Sequence, residues 1–213
     1  MALPLQPKSL LLASSSPRRQ ELLSEAGYRF DIATPPFDEP DAEQICAQPA
    51  LHTESLAYFK ACSVAGNHPK KTILAADTIA FVDHEIIGKP KDRDDARHIL
   101  KKLSGTEHEV ITGVALLQPI TSQRLLHHDI SVIQVRPLAD SAIENYLDTG
   151  EWRGKAGAYG IQDHGDAFVE RVQGSFTNVV GLPMELLAQM FQQWKQNAVT
   201  WDSSSTVSLL DDL

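Results

Sequence analysis

The chain has 213 residues, of which 42% are hydrophobic and 22% charged, and its formal net charge is −9 at pH 7. This length suits one domain with a full hydrophobic core or two small lobes, and the acidic balance disfavours nonspecific nucleic-acid binding, so an anionic ligand needs a local basic pocket. The two cysteines form no CxxC motif, the apolar run LLLA is too short for a signal peptide, and no apolar run is long enough to span a membrane. We therefore expect a cytoplasmic protein without a membrane partner and, given its negative charge, without a nucleic-acid partner.

The first half of the chain is predicted to alternate between strands and helices. Short apolar runs predict strands at residues 9–13, 30–33, 72–82 and 85–87. Helical spacing of apolar residues predicts helices at 17–26, 51–65 and 92–105. Between the second strand and the second helix, segment 34–49 is polar, acidic and proline-containing, and it is predicted to be a loop.

The second half adds hairpins to this alternation. Apolar patterns predict strands at 109–117 and 130–136, helices at 138–148 and 183–196, and a turn at 164–165. We expect one domain over residues 1–197 and a mobile tail over 198–213, where the apolar periodicity is weak. Hairpins interspersed with crossover helices are typical of an α/β fold with a mixed twisted sheet and flanking helices.

The segment SSSPRRQELL poses an electrostatic problem. Pro17 suits the first helical position and Ser16 the cap, so Arg18 and Arg19 stand at the positive end of the predicted helix. Exposed arginines near a helix start cost little, and this pair could be of that kind. Alternatively, the strand, turn and helix N-terminus bind a polyphosphate, to whose oxygens the arginines add bidentate bonds. Neither a P-loop nor a GxGxxG motif is present.

A second anomaly is the acidic residue in the apolar strand TILAADTIAFV. A carboxylate such as Asp77 is expensive in a core strand unless charge or hydrogen bonds compensate it. It either faces solvent at a strand end or bulge, or serves as a general base or metal ligand in a cleft. Lys89, in IIGKP, and Lys60, in AYFKA, are candidate cations for the same cleft, although isolated lysines are more often solvated surface groups.

A third feature is the glycine-rich stretch GKAGAYGIQ. Gly154, Gly157 and Gly160 recur at three-residue spacing, and glycine lets backbone approach a ligand closely. Gln162 follows them and could read a base edge with its paired donor and acceptor. The alternative is a plain glycine-rich turn before a strand.

Several blocks of the chain together resemble the Maf family of nucleotide pyrophosphatases. They are LASSSPRRQELL, AADTIAFVDHEIIGKP, LSGTEHEVITGVAL and KAGAYGIQ followed by VQGSFTNVVGLP, in the family's order and over roughly residues 8–195. The resemblance implies a two-lobed mixed α/β fold similar to the inosine-triphosphate pyrophosphatase group, with a cleft between the lobes. It also implies hydrolysis of a nucleoside triphosphate to the monophosphate and diphosphate, with Mg²⁺ or Mn²⁺ (or Co²⁺) as cofactor, and a homodimer.

The family's catalytic residues carry over to four positions of this sequence. Asp77 matches the catalytic acid, and we expect it to accept the proton of the attacking water. Glu39, in the atypical acidic loop FDEPD, matches a glutamate near the metal and the water, so both carboxylates are expected metal ligands. Lys60 and Lys89 match lysines on the phosphate side, although Lys60 stands in FKA where the family usually has EKA.

The family's substrate-binding residues carry over to five further positions. Ser14, Arg18 and Arg19 match the phosphate-binding serine and arginines. The subfamily that prefers dTTP and UTP has the residues found here as Arg18, Thr78 and Gln162, whereas a branch acting on 7-methyl-GTP differs there. We expect Gln162 to read the base and Thr78 to fix the orientation of its amide.

Two other classes of protein remain compatible with these motifs. One is a nucleotide-binding regulator of cell division that does not hydrolyse its ligand, although both carboxylates and the phosphate-side cations are retained. The other is an interaction protein in which SSSPRR is an exposed phosphorylation or docking motif. Phosphate release from triphosphates tests the first, and protection of the segment from proteolysis tests the second.

Overall fold

The computed structural model describes residues 4–36, 48–162 and 164–204. Within those ranges, one mixed sheet has the order β2-β1-β3-β5-β6-β7, with β4 paired to β3. Its strands are β1 (Leu10–Ala13), β2 (Phe30–Ala33), β3 (Thr72–Val82), β4 (Glu85–Ile87), β5 (Glu107–Gln118), β6 (Gln123–Val135) and β7 (Val169–Gln173). The helices are α1 (Pro17–Glu25), α2 (Pro49–Ala65), α3 (Arg93–Leu103), α4 (Asp140–Thr149), α5 (Phe176–Val180) and α6 (Met184–Ser204). The predicted mixed α/β fold is confirmed.

The two edges of the sheet are built differently. On one side β1 runs parallel to both β2 and β3, which requires crossover connections, and α1 and α2 lie in those connections. On the other side β3, β5, β6 and β7 are antiparallel neighbours, and β5 and β6 form a long hairpin. β3 therefore lies where the parallel and antiparallel parts of the sheet meet.

One face of β3 carries two separate hydrophobic cores. Leu74 and Ala76 pack in a cluster with residues of α1 and α6, whereas Ala80 and Val82 pack in a cluster with residues of α3 and α4. Because side chains alternate along a strand, Thr78 lies on the same face between these pairs. Thr78 belongs to neither cluster, and a cleft whose lining includes it opens between the two groups of helices.

The opposite face of the sheet is covered by α2. Ile73 and Ala75 of β3 pack there with Ala61 and Val64 of the helix in a third cluster. α2 also lies closely against β5, where Gly113 leaves room for its backbone. This packing holds the polar residues of α2 next to the middle of β3.

Some element boundaries differ from the sequence prediction. β6 begins at Gln123 rather than at 130, because its first half is half-buried or exposed and lacks an apolar run. α5 was not predicted, since five residues are too few to show helical periodicity. α6 continues to Ser204, into the predicted tail, and residues 205–213 lie outside the described residues, as does most of the predicted loop at 34–49. No described helix is both long enough and apolar enough to cross a membrane.

Candidate active site

A cleft of about 810 Å³ opens where the two groups of helices separate over β3. Segments far apart in the sequence line it: the β1–α1 turn, α2, the middle of β3, the end of the β4 hairpin and the glycine-rich stretch. The sequence-predicted residues that it brings together are Ser14, Arg18, Arg19, Lys60, Asp77, Thr78, Lys89 and Gln162. Glu39 lies outside the described residues, so its place in the site stays a prediction.

Arg19 is held by hydrogen bonds to several other parts of the protein. Its Nε donates to the carbonyl oxygen of Gly181 at 2.7 Å, and its Nη2 donates to Oγ1 of Thr78 at 3.0 Å. Its Nη1 donates to Oγ of Ser14 at 3.3 Å. One guanidinium thus connects α1, β3 and the residue after α5. These protein oxygens therefore accept hydrogen bonds from the Arg19 guanidinium at the positive end of α1, so a bound anion is not needed to hold it there.

Arg18 has a different environment, although it is the neighbouring residue. Its side chain lines the cleft and makes no hydrogen bond or ion pair within the described part of the chain. Ser16 is the N-cap residue of α1, as predicted, but its side chain makes no capping hydrogen bond. The N–H of Ser16 instead donates to Oγ of Ser14 at 3.2 Å. Arg18 is therefore a cation at a helix start whose donors are open to the cleft.

Asp77 and Lys60 form a buried ion pair. The Lys60 Nζ lies 2.5 Å from Oδ1 of Asp77, and the side chains are only 8% and 6% exposed. Asp77 pairs with Gly113 in the β3–β5 register, and a Cβ on Gly113 would come within 2.3 Å of the carbonyl carbon of Thr53 in α2. The glycine thus allows the close approach of helix and sheet beside this pair. The lysine supplies the compensation that a carboxylate in a core strand requires.

Thr78 and Gln162 both line the cleft but share no hydrogen bond in the structure, so the role of Thr78 in orienting the amide stays a prediction. Oγ1 of Thr78 accepts from Arg19 and hydrogen-bonds to Oγ1 of Thr112 at 2.9 Å. Gln162 is exposed at the cleft, and its amide has no hydrogen-bond partner within the described ranges. The Thr78 hydroxyl thus bonds to Arg19 and Thr112, and it positions the guanidinium of Arg19.

The lining also includes polar residues that were not singled out from the sequence, among them Arg153, Lys155, His108 and Tyr159. The first two belong to WRGKAG, where basic residues beside glycines could have been recognised as candidate anion ligands. With them, the described lining holds six Lys or Arg side chains and two carboxylates, Glu21 and Asp77. The cleft is therefore a local basic pocket in an acidic chain, which is the arrangement that an anionic ligand needs.

His108 and Tyr159 form a buried pair in the wall of the cleft. The Tyr159 hydroxyl lies 3.0 Å from Nε2 of His108, and the rings pack edge to face. Burial lowers the pKa of His108 to about 4, and burial likewise raises the pKa of the Tyr159 hydroxyl. The imidazole is thus neutral near pH 7. The sequence could not predict this contact, because β5 and the glycine-rich stretch are far apart along the chain and meet only in the fold.

Comparison with known proteins decides the family. Residues 9–194 match the family described as Maf-like protein. The chain belongs to the Maf-like family. The resemblance on which the site residues were predicted is therefore confirmed, and this Maf-like chain is matched over most of its length.

Several curated proteins are similar to this Maf-like chain. The dTTP/UTP pyrophosphatase of Symbiobacterium thermophilum is 44% identical over 187 residues, which cover 88% of this chain and 94% of that protein. That of Ruminiclostridium cellulolyticum is 41% identical over 192 residues, which cover 90% and 99%. That of Pyrococcus furiosus is 41% identical over 186 residues, which cover 87% and 95%. Among solved structures, a HAM1 protein from Coxiella burnetii has a TM-score of 0.44 and 17% identity, and the match covers 60% of this chain and 72% of that chain.

The cleft of the Maf-like chain fits a cation such as Mg²⁺ if phosphate oxygens of a bound substrate complete its set of ligands. The described residues include no group of three or more His, Cys, Asp or Glu side chains that could hold a metal ion. Mg²⁺ is commonly held by one or two carboxylates together with substrate phosphates. Asp77 supplies one buried carboxylate among cations that suit phosphates, so the donor set fits such a cation.

Proposed function

We propose that this chain is a nucleoside triphosphate pyrophosphatase that hydrolyses dTTP and UTP to the monophosphate and diphosphate. The observation that carries the proposal is the buried Lys60–Asp77 pair in a cleft that is also lined by Arg18, Arg19, Lys89, Arg153 and Lys155. The 44%-identical relative named dTTP/UTP pyrophosphatase supports the choice of substrates.

The basic side chains would bind and orient the phosphates. Phosphoryl transfer needs positioning and neutralisation of charge more than covalent chemistry, and arginines supply charge-assisted bonds to phosphate oxygens. Arg18 has open donors, and Arg19 is oriented by the protein, so the two arginines present guanidinium groups at the helix start. Lys89, which follows β4, would bind phosphate from another wall of the same cleft.

Asp77 is the proposed acceptor of the proton from the attacking water. Its carboxylate is fixed by Lys60, whose ammonium lies 2.5 Å from Oδ1 and holds the carboxylate in position on β3. A general base of this kind contributes typically 10²–10⁴-fold to the rate. Lys60 thus acts on the reaction by holding the base, and it would also face the phosphates of the substrate.

A divalent cation, Mg²⁺ or Mn²⁺ with Co²⁺ as an alternative, is part of the proposal. Asp77 would hold it together with phosphate oxygens, and Glu39 is the second proposed ligand. When bound, such an ion neutralises charge on the phosphates. Gln162 would read the pyrimidine base. A homodimer and a cytoplasmic location stay predictions for this chain.

A substrate screen tests the function. Release of diphosphate is measured, through an added inorganic pyrophosphatase, from UTP, dTTP, CTP and 7-methyl-GTP with Mg²⁺, Mn²⁺ and Co²⁺. We expect UTP and dTTP to be the best substrates. No release from any triphosphate, with binding retained, would instead support a nucleotide-binding regulator, and release mainly from 7-methyl-GTP would overturn the pyrimidine assignment.

The catalytic assignment is tested with Asp77→Asn. The amide keeps the shape and can still accept from Lys60, but it loses the charge, so we expect turnover to fall by about 10²–10⁴-fold in the folded enzyme. Asp31→Asn is the matched control, since Asp31 pairs with Lys71 at the same 2.5 Å on the exposed surface. A folded Asp77→Asn enzyme that keeps more than about a tenth of the wild-type rate would contradict the role of Asp77.

A further inference from the structure

Arg153 is a cleft residue that the family motifs do not assign. It follows Trp152 in the segment after α4, lines the cleft and is exposed. Its position in the lining therefore makes its guanidinium accessible to a ligand.

The guanidinium of Arg153 is held in place without a salt bridge. It lies over the Trp152 ring at 4.7 Å from the ring centroid, which is within the range of a cation–π interaction. The ring itself is buried, and its Nε1–H donates to the carbonyl oxygen of Leu147 at 3.1 Å. The guanidinium also packs over Gly150, where a Cβ would come within 2.3 Å of Nη1. A fixed ring and a glycine thus position this arginine.

Arg153 has no anionic partner within the described part of the chain, and no protein hydrogen bond takes up its guanidinium donors there. Other arginines differ: Arg93 and Arg97 pair with Glu144, and Arg171 pairs with Glu107. An arginine that is oriented by stacking, and whose donors remain open beside a cleft, is suited to bind an anion bidentately.

The position of the glycine-rich stretch indicates which part of a nucleotide Arg153 would meet. The N–H of Gly157 donates to the carbonyl oxygen of Gly88 at 3.3 Å, so this stretch lies beside the segment that carries Lys89. Trp152 belongs to the same hydrophobic cluster as Ile87, which ends β4. Gly157, four residues after Arg153, thus bonds to the residue before Lys89, and we expect Arg153 to meet the phosphates that Lys89 binds rather than the base.

We propose that Arg153 binds a terminal phosphate of the nucleoside triphosphate and, after hydrolysis, the diphosphate. This inference rests on the proposed function. It assigns to Arg153 a contact that the triphosphate and the diphosphate make and the nucleoside monophosphate lacks. Arg153 would thereby favour triphosphates over shorter nucleotides and strengthen inhibition by the diphosphate product.

The experiment compares the wild type with Arg153→Ala, Arg153→Lys and the control Arg29→Ala. Arg29 is exposed, lies outside the cleft lining and likewise makes no side-chain ion pair or hydrogen bond within the described residues. Formation of UMP from UTP is followed by chromatography, and inhibition constants are measured for added inorganic diphosphate and for added UMP. Circular dichroism confirms that each variant is folded.

We expect Arg153→Ala to raise the inhibition constant of diphosphate about tenfold and to raise the KM for UTP, because a charge-assisted contact is lost. The inhibition constant of UMP should change by less than twofold, Arg153→Lys should restore part of the loss, and Arg29→Ala should match the wild type. A diphosphate constant within twofold of the wild type overturns the proposal. The proposal is also overturned if Arg153→Ala raises the inhibition constant of UMP as much as that of diphosphate. It is likewise overturned if Arg29→Ala raises the diphosphate constant as much as Arg153→Ala does.

Failure of the proposed function is recognised separately. If the wild type hydrolyses neither UTP nor dTTP, that function is wrong, and calorimetric titration with inorganic diphosphate then decides the role of Arg153. Tighter binding to the wild type than to Arg153→Ala by about tenfold supports the role. Equal binding to both proteins, or no binding to either, overturns it.

Discussion

At the scale of single residues, Arg18 and Arg19 show how the fold separates two identical neighbours. The sequence places both at the positive end of α1, and on that basis either one is a candidate phosphate ligand whose removal relieves the helix dipole. The structure commits Arg19 to Gly181, Thr78 and Ser14, and leaves the Arg18 donors open to the cleft. Replacing Arg18 and replacing Arg19 should therefore change the stability of the nucleotide-free protein differently.

We predict opposite effects of Arg18→Ala and Arg19→Ala on stability. Loss of Arg18 relieves about 0.3–1 kcal/mol of unfavourable dipole interaction, so Tm should stay level or rise slightly. Loss of Arg19 leaves the Gly181 carbonyl without its guanidinium donor, at a cost of about 1–3 kcal/mol, so Tm should fall by several degrees. Both variants should raise the KM for UTP. Thermal unfolding without nucleotide checks this difference, and equal Tm values for the two variants would contradict it.

Gln162 carries the prediction on base choice. Uracil and thymine offer a 4-oxo acceptor and an N3–H donor, which one amide orientation can pair, whereas cytosine reverses this pattern. We expect kcat/KM for UTP and dTTP to exceed that for CTP by at least about tenfold, since a mismatch leaves polar groups unpaired. Gln162→Ala should reduce this preference more than it reduces the best rate. An unchanged ratio of UTP to CTP turnover in the variant would remove Gln162 from base reading.

The sequence alone located most of the described site, but not its internal contacts. Motif matches found Asp77 and Lys60 because their residue types and order are characteristic of the family. They could not reveal that Thr78 bonds to Arg19, because that contact joins residues 59 positions apart. Nor could they reveal the stacking of Arg153 on Trp152, which is a feature outside the family motifs.

At the scale of elements, prediction succeeded where a pattern is local. β3 and β4 were predicted with their observed boundaries, since both are short apolar runs next to turn residues. α3 has Asp92 as a cap that accepts from Asp95 N–H, with acidic residues in its first turn and lysines in its last. α5 was missed because five residues are too few to show helical periodicity, and the first half of β6 was missed because its half-buried or exposed residues, which pair with β5, form no apolar run.

The contact between α2 and β5 gives a prediction at this scale. Gly113→Ala would place a Cβ within 2.3–2.4 Å of the backbone of Thr53 and Glu54, so α2 must move away from the sheet. Overpacking of this kind typically costs about 1–3 kcal/mol. Because α2 carries Lys60, turnover should also fall. Gly66→Ala is the control, since a Cβ there meets nothing within 4 Å. Chemical denaturation and kcat measure both effects, and equal stability of the two variants would contradict the packing argument.

At the scale of the whole molecule, charge is distributed unevenly. The chain has a formal net charge of −9, yet six of the described cleft residues are Lys or Arg and two are acidic. Elsewhere the acidic residues pair on the surface, as where Glu144 of α4 binds Arg93 and Arg97 of α3. Those bonds to Arg97 and Arg93 lower the pKa of Glu144 to about 2. A basic cleft in a chain of negative net charge is the arrangement that a small anionic ligand needs.

The unfolding free energy should depend on pH in two separate windows. The folded pKa of His108, about 4, lies below its ordinary value of 6.5, so between these values the unfolded chain binds the proton more readily. Stability is then full above about pH 6.5 and falls by about 3 kcal/mol as the pH drops towards 4. Glu144, whose pKa is lowered from 4.5 to about 2, adds stability above pH 4.5 that is lost as the pH falls towards 2.

His108→Gln isolates the first window. Glutamine does not titrate, and its amide can still serve the Tyr159 hydroxyl, which bonds to His108 at 3.0 Å in the native protein. We expect the decrease in unfolding free energy between pH 7 and pH 4.5 to be clearly smaller in this variant than in the wild type. Exposed His98→Gln, on the outer face of α3, should keep the wild-type slope. Urea denaturation at several pH values measures the slopes, and parallel curves for the wild type and His108→Gln would show that the buried imidazole is not the group that titrates.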